Sequence, residues 1–511
     1  MEHFSASEEL FTFGRLLLVV AVGFLLSVLA NKVSVRIQIP APALLLLTAA
    51  VLSQFFDGLK ESLSIESVEQ IATIALVLIL FDGGMHVGWR RFKVAALPII
   101  SIGILGTFAT AALIACTAHF LLDLSWILSW LIGAALAPTD PAVMFSVLGN
   151  RKVGGRSGTV LEGESGANDP VAIALMIGLL EFATSDKGSV TAIAEGFLIE
   201  MSVGAGIGIA GGLLLAQFIR RVPLPNEALY SLRTLAAAGI IYGAAATAHG
   251  SGFLAVFIAG VLIGDQRAPY KAQIKRFHSS LASLAEIVVF VVLGVTIELS
   301  NLGRDNLWRD GLILALLLAV VIRPLVVGAL LEPTALKRGE RFFIMWSGLK
   351  GAVPIVIGAF VLLAGVEGAE RVYGIVFVVV AFSVIFQGST VPYAAKRLGL
   401  SMEEVEPEPW DLSIRLQREP RDVERFFVAN ESAAVGVPLR DLPLAKDVWV
   451  TMLLRDGSPI PTRGSQVIQA DDEILLLTEA EDVTSTRMLF TRPAKEFMDY
   501  LDSRGERSLI E

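Results

Sequence analysis

The sequence predicts an all-α polytopic membrane protein of about thirteen transmembrane helices, with inverted repeats and crossed broken helices, followed by a small α/β cytoplasmic C-terminal domain. Three observations carry this. The 511-residue chain is 54% hydrophobic and only 18% charged, with a mean hydropathy of +0.67. Apolar runs close to the ~20 residues that cross a bilayer alternate with short polar loops up to Arg397. Two of those runs, the fifth and the twelfth, are interrupted by proline, glycine and charge.

The spans fall near 14–31, 40–56, 68–86, 94–121, 124–148, 159–183, 189–219, 227–248, 251–265, 279–299, 310–331, 341–365 and 371–395. Alternate loops are basic: Lys32 and Arg36; Arg90, Arg91 and Lys93; Arg151, Lys152 and Arg156; Arg220 and Arg221; Arg267, Lys271, Lys275 and Arg276; Lys337, Arg338 and Arg341; Lys396 and Arg397. The loops between them carry only Lys60, Lys187, Arg304 and Arg309. The positive-inside rule then puts the N-terminus outside and everything after residue 395 in the cytoplasm of a multi-pass inner (plasma) membrane protein. Arg233, in the eighth span, is expected to snorkel to the cytoplasmic surface. The N-terminus is acidic (Glu2, Glu8, Glu9) and lacks a basic n-region, so the first apolar run reads as a span, not a cleaved signal. Cys116 is the single cysteine, which excludes an intrachain disulfide. The net charge of −9 reflects acidic residues gathered towards the C-terminus.

Residues 1–397 therefore form a transmembrane domain. Residues 398–420 are acidic, contain Pro407, Pro409 and Pro420, and read as a linker. Residues 421–492 read as a small α/β domain with strands at Arg425–Asn430, Val448–Leu454 and Glu473–Leu477, a turn at Asp456-Gly457 and a short helix over Glu481–Leu489. Residues 493–511 read as a charged, frayed tail.

The polar residues inside the apolar runs carry the chemistry. Gly163-Glu164-Ser165-Gly166-Ala167-Asn168-Asp169-Pro170 puts two carboxylates at membrane depth. Each costs at least about 2.5–3.5 kcal/mol there, which implies a use such as an ion or proton site. In the fifth span, Ala137-Pro138-Thr139-Asp140-Pro141 loses backbone donors at two prolines and must break. In the twelfth, Gly348-Leu349-Lys350-Gly351-Ala352-Val353-Pro354 marks a second break. Broken backbone at membrane depth is tolerated only where it is buried in protein or lines a cavity. Breaks at matched places in two inverted halves point to a transport site between them.

At those breaks Asp140 offsets half-helix N-termini and Lys350 half-helix C-termini, and this compensation is compatible with lining the site. Ser165 and Asp169 are four apart and share a helix face, so with Thr139 they make an oxygen-rich pocket suited to a hard cation. Glu164 needs a different partner, and Arg323, in Val320-Val321-Ile322-Arg323-Pro324, supplies one as a structural ion pair. Asp169 can alternate between protonated and cation-bound states, and its neighbour Asn168 is neutral. One titrating charge corresponds to one proton against one cation, hence electroneutral exchange. Glu286, inside the tenth span, reads as a funnel residue or as the partner of a neighbouring polar group.

Together these residues resemble the cation/proton antiporter superfamily, specifically NhaP-type sodium or potassium/proton exchangers. The resemblance covers roughly residues 10–395 and rests on Thr139-Asp140-Pro141, Glu164-Ser165-x-x-Asn168-Asp169, Arg323-Pro324 and Gly351-Ala352-Val353-Pro354. Phe81-Asp82-Gly83-Gly84 and Gly250-Ser251-Gly252-Phe253-Leu254-Ala255 are also similar to family segments. The resemblance implies a homodimer in the lipid bilayer, with a dimerisation domain against which a core domain moves. It implies that Asp169, with Asn168, Ser165, Thr139 and Asp140, carries the ion or proton, and that Glu164 pairs with Arg323. Lys350, where many relatives have arginine, and Pro170, where relatives have a small residue, depart from the pattern. The tail resembles the RCK C-terminal (TrkA-C type) regulatory domain through Val435-Gly436-Val437-Pro438-Leu439, Pro461-x-Arg463-Gly464 and Gln469-Ala470-Asp471-Asp472-Glu473. It implies a small-molecule ligand or a passive dimer clamp, and tilts the expected cation towards K+ over Na+.

The expected activity is exchange of cytoplasmic cation for external proton by alternating access at one carboxylate site, with a ligand-gated potassium efflux channel-like system as the alternative. No carbonyl filter motif such as Thr-Val-Gly-Tyr-Gly is present, which favours exchange. No paired-histidine metal motif and no nucleophile with a histidine base is evident, so no enzyme, no cofactor, no resident metal and no nucleic-acid partner is expected.

Overall fold

The computed structural model describes residues 14, 23, 25 and 30 and then 40–504, apart from 55–63, 149–150, 154–155, 185–188, 267, 298, 335, 401, 405–421, 445–447 and 479–483. The expected first span, 14–31, thus lies almost wholly outside the described residues. The chain divides into two compact units, Met1–Pro407 and Glu408–Glu511.

The first unit is helical. Its helices are α1 (Ala41–Leu52), α2 (Ile65–Ile100), α3 (Thr107–Leu122), α4 (Trp126–Leu136) and α5 (Pro141–Leu148), then α6 (Arg156–Thr184), α7 (Val190–Arg221), α8 (Glu227–Thr247), α9 (Gly252–Gly264) and α10 (Lys271–Thr296). There follow α11 (Leu307–Leu317), α12 (Arg323–Leu331), α13 (Arg338–Trp346), α14 (Ala352–Leu363), α15 (Ala369–Phe382) and α16 (Gly388–Arg397). Among the described residues seven helical stretches are long and apolar enough to span a membrane, and α1, α4, α9 and α14 are shorter apolar helices.

α2 is two rods, not one. Gly88 sits at φ 64° and ψ 157°, outside helical space. Asp265 caps the second rod by accepting from the Arg90 N–H at 2.6 Å. A Cβ at position 88 would lie 2.7 Å from that carboxylate. The loop read from Arg90, Arg91 and Lys93 is therefore a single-residue break. π turns at Ser101–Gly106, Leu318–Ile322 and Ser383–Gln387 join α2 to α3, α11 to α12 and α15 to α16 without breaking the rods.

α2 and α9 pack backbone to backbone. A Cβ on Gly84 would meet the Phe257 carbonyl at 2.4 Å, one on Gly260 the Phe81 carbonyl at 2.4 Å, and one on Gly264 the Met85 carbonyl at 2.5 Å. Small residues at helical spacing let membrane helices approach this closely. Gly260→Val forces the pair apart, and the expected result is a loss of about 2–3 kcal/mol, read as a lower unfolding temperature in detergent. Gly239→Ala, which meets nothing within 4 Å, is the neutral control.

Three local expectations are corrected. α10 begins at Lys271, eight residues before the expected start, so Lys271, Lys275 and Arg276 occupy its first turns. Arg233 does not snorkel: it is 8% exposed, donates to the Val222 carbonyl at 2.9 Å and lies over the Phe218 and Tyr230 rings. The guanidinium finds one acceptor and two aromatic faces inside the protein. Inside the stretch read as a linker, β2 (Met402–Glu404) pairs antiparallel with β1 (Arg151–Val153), Arg151 opposite Glu404 and Lys152 opposite Glu403.

The second unit is a four-stranded antiparallel sheet in the order β3 (Asp422–Phe427), β6 (Glu473–Thr478), β4 (Val448–Arg455), β5 (Ser458–Ile460). Asp456 and Gly457, both at positive φ (51° and 73°), make the tight β4–β5 turn. α17 (Thr484–Thr491) follows. The end expected to fray instead forms α18 (Ala494–Arg504), because Phe497 and Leu501 pack into the core with Phe426, Leu453, Ile474 and Phe490. Asp472 is wholly buried and accepts from Arg455 twice at 2.7 Å and from the Gln469 N–H at 2.8 Å. Asp472→Ala leaves those donors unmatched and should cost about 2–3 kcal/mol of this unit's stability, read as a lowered unfolding midpoint of the full-length protein followed at its C-terminal sheet.

Candidate ion-binding site

The two interrupted spans cross, and their sequences show how. Pro138 and Pro141 leave α4 without continuing donors, and Pro141 opens α5 at the first helical position, where its missing N–H costs nothing. The last carbonyls of α4 are therefore unsatisfied by their own helix. Lys350, 2% exposed, donates to two of them, Ala137 at 3.0 Å and Pro138 at 2.8 Å. In return the Asp140 N–H donates to the Leu349 carbonyl at 2.8 Å. The glycines around Lys350 make the crossing possible. A Cβ on Gly351 would stand 1.9 Å from an Asp140 carboxylate oxygen, and one on Gly348 would stand 1.8 Å from the Arg323 guanidinium.

α6 brings the remaining polar groups to this crossing. Thr139, Glu164, Ser165, Asn168 and Asp169 are all under 8% exposed, and Asp140 is half-buried. The Asn168 amide donates to Thr139 Oγ1 at 2.9 Å, and the Thr139 hydroxyl in turn points to Glu164 Oε1 at 3.4 Å. Ser165 neighbours the Asp169 carboxylate, whose charged neighbours are Asp140, Lys350 and Glu164. Two oxygens at this place, Asn168 Oδ1 and Asp169 Oδ1, are buried without any hydrogen-bond partner. Buried oxygens are nearly always paired, so a pair of orphans in adjacent residues marks a place built for something else.

Glu164 is spoken for. Arg323 donates to Glu164 Oε1 at 2.8 Å and to Oε2 at 3.2 Å, and its other bonds go to the Met345 and Ile344 carbonyls at 3.0 and 3.1 Å. The π turn at Leu318–Ile322 immediately precedes Arg323. The C-terminal carbonyls of α13 and the carboxylate of α6 thus share one guanidinium.

The structure brings Thr139, Asp140, Glu164, Ser165, Asn168, Asp169, Arg323 and Lys350 into one cluster. The Thr139 hydroxyl meets Asn168, the amide, where the sequence had joined it to Ser165 and Asp169. Sequence reasoning missed Ser383 and Gln387. Ser383 accepts from the Lys350 N–H at 3.0 Å and donates to Gln387 Oε1 at 3.1 Å, and Gln387 donates to the Trp346 carbonyl at 2.6 Å. Their signal was a polar pair four residues apart inside an otherwise apolar run. A cavity of about 400 Å³ lies on one side of the cluster. Its lining includes Glu69, Glu181, Tyr242, Phe360 and Ile173, the last one helical turn beyond Asp169.

Two sequence families match the chain: the transmembrane domain of sodium/hydrogen exchangers over residues 17–397 and the TrkA-C domain over residues 423–491. The chain belongs to the sodium/hydrogen exchanger family. It is a multi-pass membrane transporter that exchanges cations for protons, with a TrkA-C regulatory domain after its transmembrane helices. It is 32% identical to the K(+)/H(+) antiporter NhaP of Alkalimonas amylolytica, over 91% of this chain and 82% of that one. It is 26% identical to the Na(+)/H(+) antiporter NhaH of Halobacillus aidingensis, over 76% of this chain and 98% of that one. Its fold is similar to the sodium proton antiporter MjNhaP1 from Methanocaldococcus jannaschii (TM-score 0.62, 24% identity, 72% of this chain and 97% of that one).

Proposed function

We propose that this exchanger moves K+ in preference to Na+, one cation against one proton, at Asp169, with Asn168, Ser165, Thr139 and Asp140 around the ion and with the tail domain in the cytoplasm. The observation that supports it most is the pair of buried, unpartnered oxygens Asn168 Oδ1 and Asp169 Oδ1 beside the crossing. A monovalent cation is a hard ion that takes oxygen ligands, and a proton competes for the same carboxylate. Glu164 is neutralised by Arg323 and Lys350 is occupied by carbonyls, and among the cluster's carboxylates Asp169 is the one with a buried oxygen that has no hydrogen-bond partner. The basic loops support an orientation with α2's Gly88 end in the cytoplasm and the 400 Å³ cavity, with Glu69 and Glu181, on the external side. The greater identity to a K(+)/H(+) antiporter and the TrkA-C domain support potassium. The chain acts as a homodimer on this reading.

The test is proton release from acid-loaded everted vesicles carrying the protein, with potassium or sodium added in turn. Release at lower potassium than sodium concentrations supports the reading. Release with sodium alone makes the protein a sodium exporter. Cation flux with no proton movement makes it a channel-like system.

A further inference from the structure

A second intramembrane carboxylate has a buried oxygen without a partner: Glu286 Oε1, on α10. Its setting is specific. Asp140 is the charged group that acts on the Glu286 carboxylate, and Asp140 is also first among the charges acting on Asp169. Asp140 is thus a charged neighbour of both. Along α10, Ser279, Ser283 and Glu286 recur at i, i+4 and i+7 and share one helix face. The Ser279 hydroxyl donates to Asp82 Oδ1 at 3.1 Å, and Asp82 lies six residues before the Gly88 break on α2. Seven residues of helix rise about 10 Å, so this face leads from the Gly88 end of the membrane domain inwards to mid-span. The Asp82–Ser279 bond lies at the Gly88 end of this face, and Glu286 lies about 10 Å further in. On the opposite side of Asp169 lies the cavity that reaches Ile173.

We infer that Glu286 is a cation-transfer residue: its carboxylate holds the incoming monovalent cation between the Asp82–Ser279 mouth and Asp169. This rests on the exchange reading above. The physical reason is the arrangement of like charges. Two carboxylates within Coulombic reach at membrane depth repel each other, and a cation between them turns that repulsion into attraction. The orphan Glu286 oxygen supplies the hard ligand for it. Glu286 stays outside the Thr139–Glu164–Asn168 hydrogen-bond network, so its role is separable from holding the crossing together.

The experiment compares wild type, Glu286→Gln and Glu286→Asp in everted vesicles, where added K+ meets the cytoplasmic face, with thermal unfolding in detergent alongside. Glu286→Gln should raise the half-saturating K+ concentration about fivefold or more, the scale of one partly screened charge. Maximal rate should stay within about twofold, and Glu286→Asp should restore most of the affinity. A half-saturating concentration unchanged in Glu286→Gln would overturn the inference. So would a fall in maximal rate and unfolding temperature in both variants at unchanged half-saturation, which is the signature of a purely structural residue. A wild type that exchanges neither cation overturns the exchange reading itself, and the inference with it, so the two failures are told apart.

Discussion

Asp169→Asn should reduce cation-driven proton release to the background of vesicles without the protein, about a hundredfold or more below wild type. The substitution keeps the side-chain volume and the helix but removes the charge that a cation needs and the group that a proton needs. On the proposed reading both ligands lose the same site, so neither high cation concentration nor altered pH should rescue it. Stability is the discriminating control. Asp169 Oδ1 has no protein partner and the residue is 4% exposed. Removing a buried charge, one of whose oxygens has no hydrogen-bond partner, relieves a desolvation cost, so the variant should unfold at the wild-type temperature or above it. A dead variant that is also unstable would instead make Asp169 a structural residue. Asp169→Glu should retain exchange at a rate reduced about tenfold or more, because one added methylene displaces the ligand within a packed site.

Much of this site was readable in the sequence because membrane depth makes polar residues expensive. Pro138 and Pro141 cannot continue a helix, and Gly348-Leu349-Lys350-Gly351 cannot sit in a plain one, so both breaks were visible before any coordinates. Arg323 needed a carboxylate, Glu164 needed a cation, and the two are 2.8 Å apart. What stayed hidden depends on geometry that residue types do not encode. Leu318–Ile322 is wholly apolar, so nothing in it announces the π turn immediately before Arg323. The Gly88 break looked like a loop because the charges after it were read as solvated. Arg233 looked like a surface residue because its aromatic and carbonyl partners lie on other turns and loops. The C-terminal helix was masked by its charge, with Phe497 and Leu501 buried and Tyr500 packed beside them.

The second large effect concerns the ion pair beneath the site. Arg323→Ala should cost about 3–5 kcal/mol of stability, because it leaves the Glu164 charge buried without compensation. It also strips two acceptors, the Met345 and Ile344 carbonyls, of their donor at the end of α13. Glu164→Gln should cost less, since the guanidinium keeps both of those carbonyls and a side-chain oxygen. The asymmetry identifies the pair as scaffold. If the two residues served mainly as ion ligands, the single variants would change apparent cation affinity and leave unfolding alone. In the double variant Glu164→Gln with Arg323→Met no charge is stranded, so its unfolding temperature should lie above that of Arg323→Ala. Thr139 still has Asn168 as a partner there, because the amide donates to its hydroxyl independently of Glu164. Activity should nevertheless fall, because α6 and the α13–α14 break are no longer pinned to one another and Asp169 loses its fixed position relative to Asp140. A double variant as unstable as Arg323→Ala would mean that the lost carbonyl contacts at α13, and not the stranded charge, dominate the cost.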